Sequence, residues 1–317
     1  MFKRVRWLYQ EIRWVVIGAL HVITGKYFLS SKRYGKYALH SSQSGNDMLR
    51  ERILAGEPFA YCRFSYTEMA VMIHVTTQKF FGIPATNKQK WLGIFCEDGE
   101  TNFQGACKYD ALMRDAFKEA DFLGVWKNLH MGDELLNNQQ VLDDVCVTEA
   151  NSVESYFFAK PWSSALEGKR VLVVSPFSNA IRTQYERREL LWDDTSVLPE
   201  FNLDTEDAIW YYGGQRDSRF ADWFEAYDYL FNKIMEHDFD VVILACGYFG
   251  FALATRIKAE GKQAIHMGGA TQLLFGIKGK RWDNNPKINR FYNDNWIRPD
   301  EQLRPKDDRR LDNGCYW

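Results

Sequence analysis

The sequence predicts an α/β fold, a mostly parallel sheet with helices on both faces, on three observations. First, residues 169–175 (KRVLVVS), 240–247 (DVVILACG) and 263–267 (QAIHM) are apolar runs without alternation, as expected of strands buried on both faces. Second, helical segments separate these runs, and the links are short. Third, the order strand–helix–strand–helix–strand is that of a doubly wound, Rossmann-like sheet.

The chain opens on a basic arm, MFKRVRWLYQEIRWVVIGALHVITGKYF. Residues 1–40 carry Lys3, Arg4, Arg6, Arg13, Lys26, Lys32, Arg33 and Lys36 against the single acid Glu11, a net +7. The whole chain sums to −2, so the remainder is acidic. This balance excludes a globally basic nucleic-acid binder and predicts that the arm meets an anionic membrane surface. The nearly continuous apolar run from Trp14 to Thr24 covers about half of a ~30 Å hydrocarbon core as a helix, too short to span. An interfacial helix is expected instead, with Trp7, Leu8 and Trp14 supplying ring and apolar surface and Arg4, Arg6 and Arg13 facing head groups. Docking of this helix on the body is the competing expectation. Gly25-Lys26-Tyr27 offers no small-x-small cleavage site, so a cleavable leader is not expected.

The polar stretch 41–46 (SSQSGN) reads as the junction between this arm, residues 1–45, and one domain over residues 46–317. A short helix is expected over 47–55, ended by Gly56. Residues 59–64 (FAYCRF) read as a buried strand, and Ser65-Tyr66-Thr67-Glu68 opens a helix running over 69–81. Residues 122–126 form a further short strand. Residues 176–179 (PFSN) turn into a helix that carries Arg182, Tyr185, Glu186 and Glu189. Phe220, Trp223, Phe224, Tyr227, Leu230, Phe231 and Ile234 recur at helical spacing, and a helix over 249–260 stops at Gly261. The six cysteines form no C-x-x-C pair, which fits a reducing, cytoplasmic compartment.

Ligands of an open parallel sheet bind at the carboxyl ends of its strands. Four such ends carry suitable chemistry. Arg63 leaves the first strand with Glu68 on the following helical turn. Ser178 and Asn179 open a helix whose N–H groups favour an anion, with Arg182 one turn on. Gly247 and Tyr248 follow the strand 240–247, and Gly247 permits close backbone approach. Gly268, Gly269 and Gln272 follow the strand 263–267, with Lys278, Lys280 and Arg281 beyond. Glycines followed by three cations read as a cradle for a diphosphate. Each feature also has a plain structural reading as a turn, an N-cap or a solvated loop. No G-x-G-x-x-G, Walker A, H-E-x-x-H or G-x-S-x-G motif occurs. His74, His130, His237 and His266 have no ligand spacing, His266 reads as a satisfied core residue, and Asp98-Gly99-Glu100 reads as a turn.

Arg63-Phe64-x-x-x-Glu68 after a strand resembles the R-[FI]-G-D-G-E signature of the GT-D-type glycosyltransferases. Residues 169–179 (KRVLVVSPFSN), 184–188 (QYERR), Leu198-Pro199, 239–250 (FDVVILACGYFG), 261–282 (GKQAIHMGGATQLLFGIKGKRW) and Tyr316-Trp317 are similar to a bacterial branch of that superfamily found in polysaccharide loci. The resemblance covers residues 46–317, weakest over 82–151. It implies a GT-D-like fold and transfer of a sugar from a nucleotide-diphosphate donor to a polysaccharide or lipid-linked acceptor at the cytoplasmic membrane face. In the family, D-x-E carboxylates help hold Mn²⁺ or Mg²⁺ on the diphosphate. Here Ser65 and Thr67 replace the two glycines and Tyr66 replaces the aspartate, so that only Glu68 is kept. Either Glu68 alone holds the metal more weakly, or the metal is dispensed with. In the second case Lys278, Lys280 and Arg281 neutralise the diphosphate and Glu68 is base to the acceptor hydroxyl. Two other readings remain open. One is a non-catalytic nucleotide-sugar-binding subunit of a polysaccharide assembly. The other is a different anionic-donor transferase, pyruvyl or phosphosugar.

Overall fold

The computed structural model describes residues 2–24, 32–83, 96–97, 100–101, 103–126, 132–211, 217–304 and 314–317. Lys26, Asp98, Gly99 and His130 lie outside the described residues. Seven strands form one parallel sheet: β1 (Phe59–Phe64), β2 (Phe122–Val125), β3 (Cys146–Glu149), β4 (Arg170–Ser175), β5 (Asn202–Asp207), β6 (Val241–Leu244) and β7 (Gln263–His266). Their order across the sheet is β3-β2-β1-β7-β6-β4-β5, and every pairing is parallel. The expected α/β sheet with helices on both faces is therefore present.

The central strands are apolar throughout because both of their faces are covered. In β1, Ala60, Cys62 and Phe64 pack into one core with α3 (Tyr66–Phe81), α4 (Phe103–Phe117), α7 (Trp223–Met235) and α8 (Gly250–Ala259). Phe59 and Tyr61 pack into the other, with α2 (Ser42–Ala55), α6 (Ser178–Tyr185) and the C-terminal segment. The chain leaves β4 outward to β5 and leaves β6 in the opposite direction to β7. Such reversal opens a crevice at the carboxyl ends of the strands, where ligands of this architecture sit.

Local signals set the helix ends. Ser41 caps α2, its Oγ accepting the Ser44 N–H at 3.2 Å, and Gly56 closes the helix at φ 77°. The helix therefore starts at Ser42 and not at residue 47, and the junction expected at residue 45 falls within it. The polar run is the first turn of a helix, with Gly45 pressed against Ser152 and Asn46 fully buried. Asp222 caps α7, accepting N–H groups of Phe224 and Glu225 at 2.9 Å each.

The basic arm forms α1 (Phe2–Thr24), and no helix of the described residues is long and apolar enough to cross a membrane. Trp7, read as ring surface for a membrane interface, is instead buried against the body. Its Nε1 donates to Thr77 Oγ1 at 3.1 Å and its ring meets Phe80 edge-on at 6.4 Å, both on α3. Arg6 pairs with Glu134 of α5 (Gly132–Asn137) at 2.9 Å. A Trp ring buries more apolar area than the neighbouring side chains and finds a hydroxyl for its N–H here, so it takes the inward position.

Candidate functional site

Four strand ends meet at the carboxyl edge, and β1 contributes the most buried charges. Arg63 lies at its end with its side chain only 11% exposed. Its Nη1 donates to the Met267 carbonyl at the end of β7, and its Nη2 lies 3.6 Å from Glu154 Oε1. The guanidinium also lies 5.0 Å from the centroid of the Trp126 ring. Burial raises the Glu154 pKa and Arg63 pulls it back.

Glu68 sits on the first turn of α3, 2% exposed. The Ser65 and Thr67 hydroxyls both donate to its Oε2, the latter at 2.8 Å. Burial raises its pKa above the ordinary carboxylate value, and the Ser65 and Thr67 bonds with the Arg63 charge only partly offset this. Ser65 is half-buried, and its hydroxyl also meets Thr67 Oγ1 at 3.0 Å. Tyr66, in place of the signature aspartate, is 48% exposed. Among the described residues no three His, Cys, Asp or Glu side chains gather to hold a metal. One buried carboxylate already accepting two hydroxyls is not the oxygen-rich ligand set of Mn²⁺ or Mg²⁺. The described residues therefore do not fit that ion.

The β7 turn lies beside Arg63. Gly268 has φ 65°, where an L side chain is strained, and a Cβ there would approach Arg63 Nη1 to 3.6 Å. A Cβ on Gly269 would meet the Tyr316 ring at 2.7 Å. At β6, Tyr248 is reached from α4: Tyr109 Oη donates to its carbonyl at 3.3 Å. Tyr109 also feels the Glu68 charge, so Glu68 and Tyr248 are neighbours through it. His266 is buried and held neutral, its pKa pushed down to about 3 by burial and then by Arg63. It is not the fully satisfied core residue expected, since its Nδ1 has no hydrogen-bond partner. Gly250 at the start of α8 covers it so closely that a Cβ would come within 2.3 Å of the ring.

The remaining expected residues are placed as follows. Ser178 donates to Asp207 at the end of β5. Arg182 donates to Thr205 and Asn179, facing the sheet edge beyond β4. Gly247 is exposed at φ 56°. Gln272 Nε2 ties down the C-terminal segment through the carbonyls of Lys278 at 2.7 Å and Tyr316 at 2.8 Å. Lys278 Nζ lies 5.3 Å from the Tyr292 ring centroid. Lys280 and Arg281 are exposed, their N–H groups bonded to the carbonyls of Trp317 and Cys315. Arg281 stacks on Tyr316 at 4.7 Å, and Trp317 packs on Phe177 and Trp210 at 5.5 and 5.7 Å. The C-terminal residues thus carry Lys280 and Arg281 over the ends of β4 and β7, whereas Arg182 is occupied at the periphery. Sequence reading missed Glu154, Tyr109 and Trp126, all far from the motif along the chain, and gave Tyr316 no place in the site.

A second cluster lies on β5, away from the crevice. His237 places Nδ1 2.5 Å from Asp204 Oδ2 and Nε2 3.0 Å from Glu206 Oε2. Partial burial lowers its pKa, but the bonds to Glu206 and Asp204 raise it more, to a net increase. A histidine raised in the folded state stabilises fully below its unfolded pKa of about 6.5 and loses that contribution as pH rises through the folded value. Replacing His237 with Gln is expected to flatten the stability profile above about pH 6.5, as read by urea denaturation across pH. An unchanged profile would exclude this linkage.

No family model and no curated protein matches the chain. Two solved structures resemble it. One is described as the highly conserved domain of unknown function 1792 with a distinct glycosyltransferase fold, at 13% identity and a TM-score of 0.45 over 75% of this chain and 80% of that one. The other, a selenomethionine-substituted structure of the same domain, matches at 12% identity with the same score and coverage. A likeness at this level says nothing about activity, so the chemistry rests on the site itself.

Proposed function

We propose that the protein is a glycosyltransferase that takes a sugar from a nucleotide-diphosphate donor and passes it to a polysaccharide or lipid-linked acceptor. The observation that carries this reading is the placing of Arg63 and Glu68 beside the Gly268–Gly269 turn at the carboxyl ends of β1 and β7. At Gly268 the turn offers the diphosphate a backbone without a Cβ, while the Tyr316 ring covers Gly269. Arg63 stands directly behind it, while Lys280 and Arg281 approach from the C-terminal segment.

The transfer needs one proton removed from the acceptor and one charge stabilised on the leaving group. The acceptor oxygen forms a bond to the anomeric carbon as the bond from that carbon to the phosphate oxygen breaks, its electron pair leaving with the diphosphate. The acceptor proton passes to Ser65 Oγ, whose own proton moves to Glu68. Burial that raises the Glu68 pKa brings it closer to working pH and makes it a better base than an ordinary carboxylate. Arg63, Lys280 and Arg281 meet the charge that develops on the diphosphate. No step is routed through a metal.

The test is donor turnover by the full chain with UDP-, GDP- and dTDP-sugars, with and without Mn²⁺. The reading predicts release of nucleoside diphosphate from at least one donor, and loss of that release in Ser65→Ala. A chain that binds a donor but never turns it over would favour the non-catalytic subunit, for which the replacement of the signature aspartate by Tyr66 is the supporting observation.

A further inference from the structure

The structure gives α1 two unlike faces. Trp7 and Arg6 hold it to α3 and α5. Val5, Leu8, Ile12, Val16, Leu20 and Ile23 are all 40–78% exposed. At 3.6 residues per turn these six fall within an arc of roughly 120°, and Trp7 lies on the opposite side. The stripe runs nearly the whole 23-residue helix, about 35 Å long. An exposed apolar surface this continuous marks an interaction site.

Charge identifies the partner. Arg4 and Arg6, both exposed, border the stripe on its two sides. The short ribbon of Arg33–Tyr34 and Tyr37–Ala38 packs on the same helix α5, with the Lys36 N–H donating to Asn137 Oδ1 at 2.7 Å. That ribbon adds the exposed Lys32, Arg33 and Lys36. A second copy of the chain across a two-fold axis would set these cations against their like. An anionic bilayer supplies opposite charge around an apolar interior, and each cation near it contributes about 1 kcal/mol.

We infer that α1 lies flat in an anionic membrane surface, with its stripe in the acyl boundary and its Trp7 face clamped on α3, the helix that carries Glu68. Membrane binding stands apart from the transfer reading and needs neither donor nor acceptor, so either can fail without the other.

The experiment is co-sedimentation of the full chain with phosphatidylcholine vesicles, with and without phosphatidylglycerol. Binding is expected only when phosphatidylglycerol is present, falling with salt, and about tenfold weaker in the double variant Ile12→Glu/Val16→Glu. Both side chains are exposed, so this variant should keep the circular dichroism and melting temperature of the parent. Should it unfold, Arg4→Gln/Lys32→Gln tests the charge half alone and is expected to weaken binding several-fold. No binding, or equal binding to neutral vesicles, overturns the inference. So does a concentration-dependent dimer in sedimentation velocity that the Ile12→Glu/Val16→Glu variant dissociates, because the stripe would then belong to a second copy.

Discussion

Arg63→Met is expected to destabilise the protein by about 3 kcal/mol, because removing one partner of a buried ion pair leaves the other uncompensated. The partner is Glu154, whose side chain is 12% exposed and 3.6 Å from the guanidinium. Arg63 is the charge that lowers the Glu154 pKa against burial, so in the variant that pKa climbs further. An acid whose pKa is raised in the folded state loses stability as pH rises from its unfolded value of about 4.3. The deficit should therefore be largest at neutral pH and shrink near pH 4.3. Urea denaturation at both pH values reads this directly. Adding Glu154→Gln should recover much of the loss, since the Glu154 charge left unpaired is then gone. A double variant as unstable as Arg63→Met would show that the pair does not account for the effect.

Glu68→Gln is expected to do the opposite: to spare the fold and remove the chemistry. The amide keeps an oxygen to accept the Ser65 and Thr67 hydroxyls but carries no ionisation to be penalised by burial. Stability at pH 7 should be unchanged or slightly higher, because the wild-type carboxylate is destabilised as pH rises above its unfolded value. Turnover should fall by about 10²–10⁴-fold with donor KM little altered, as for loss of a general base. Thermal melting and steady-state kinetics on one preparation separate the two readouts. Full activity in this variant would remove Glu68 from the mechanism.

How far the sequence discloses the structure depends on how buried each strand is. β1, β4, β6 and β7 are covered on both faces, so they announce themselves as unbroken apolar runs. β5 is an edge strand reading NLDTED, with Asn202, Asp204 and Asp207 exposed, and no hydrophobic pattern marks it. β3 is the opposite edge, four residues long. The arm was readable as an amphipathic helix, but its inward side was not. Thr77 and Glu134, which receive Trp7 and Arg6, are 70 and 128 residues away.

The candidate site divides the same way. Arg63 and Glu68 are local to one strand–turn–helix, so their juxtaposition is written in the motif. The Gly268–Gly269 turn comes beside them because β7 pairs with β1, which the order of strands alone does not dictate. Arg182 has the composition of a phosphate ligand but finds Asn179 one turn back and Thr205 on the adjacent strand. Glu154 enters from a segment with no motif at all, and Tyr316 from a two-residue stretch with no chemistry assigned to it.

Calorimetric titration of nucleoside diphosphates and their sugars into the full chain tests the central claim most directly, alongside the Lys280→Ala/Arg281→Ala variant, whose exposed side chains should leave the fold intact. The account predicts saturable binding of at least one nucleoside diphosphate and its sugar, weakened about tenfold or more when the two cations are removed. Absence of binding across the whole panel, or binding indifferent to both cations, would contradict a diphosphate site at the carboxyl ends of β1 and β7.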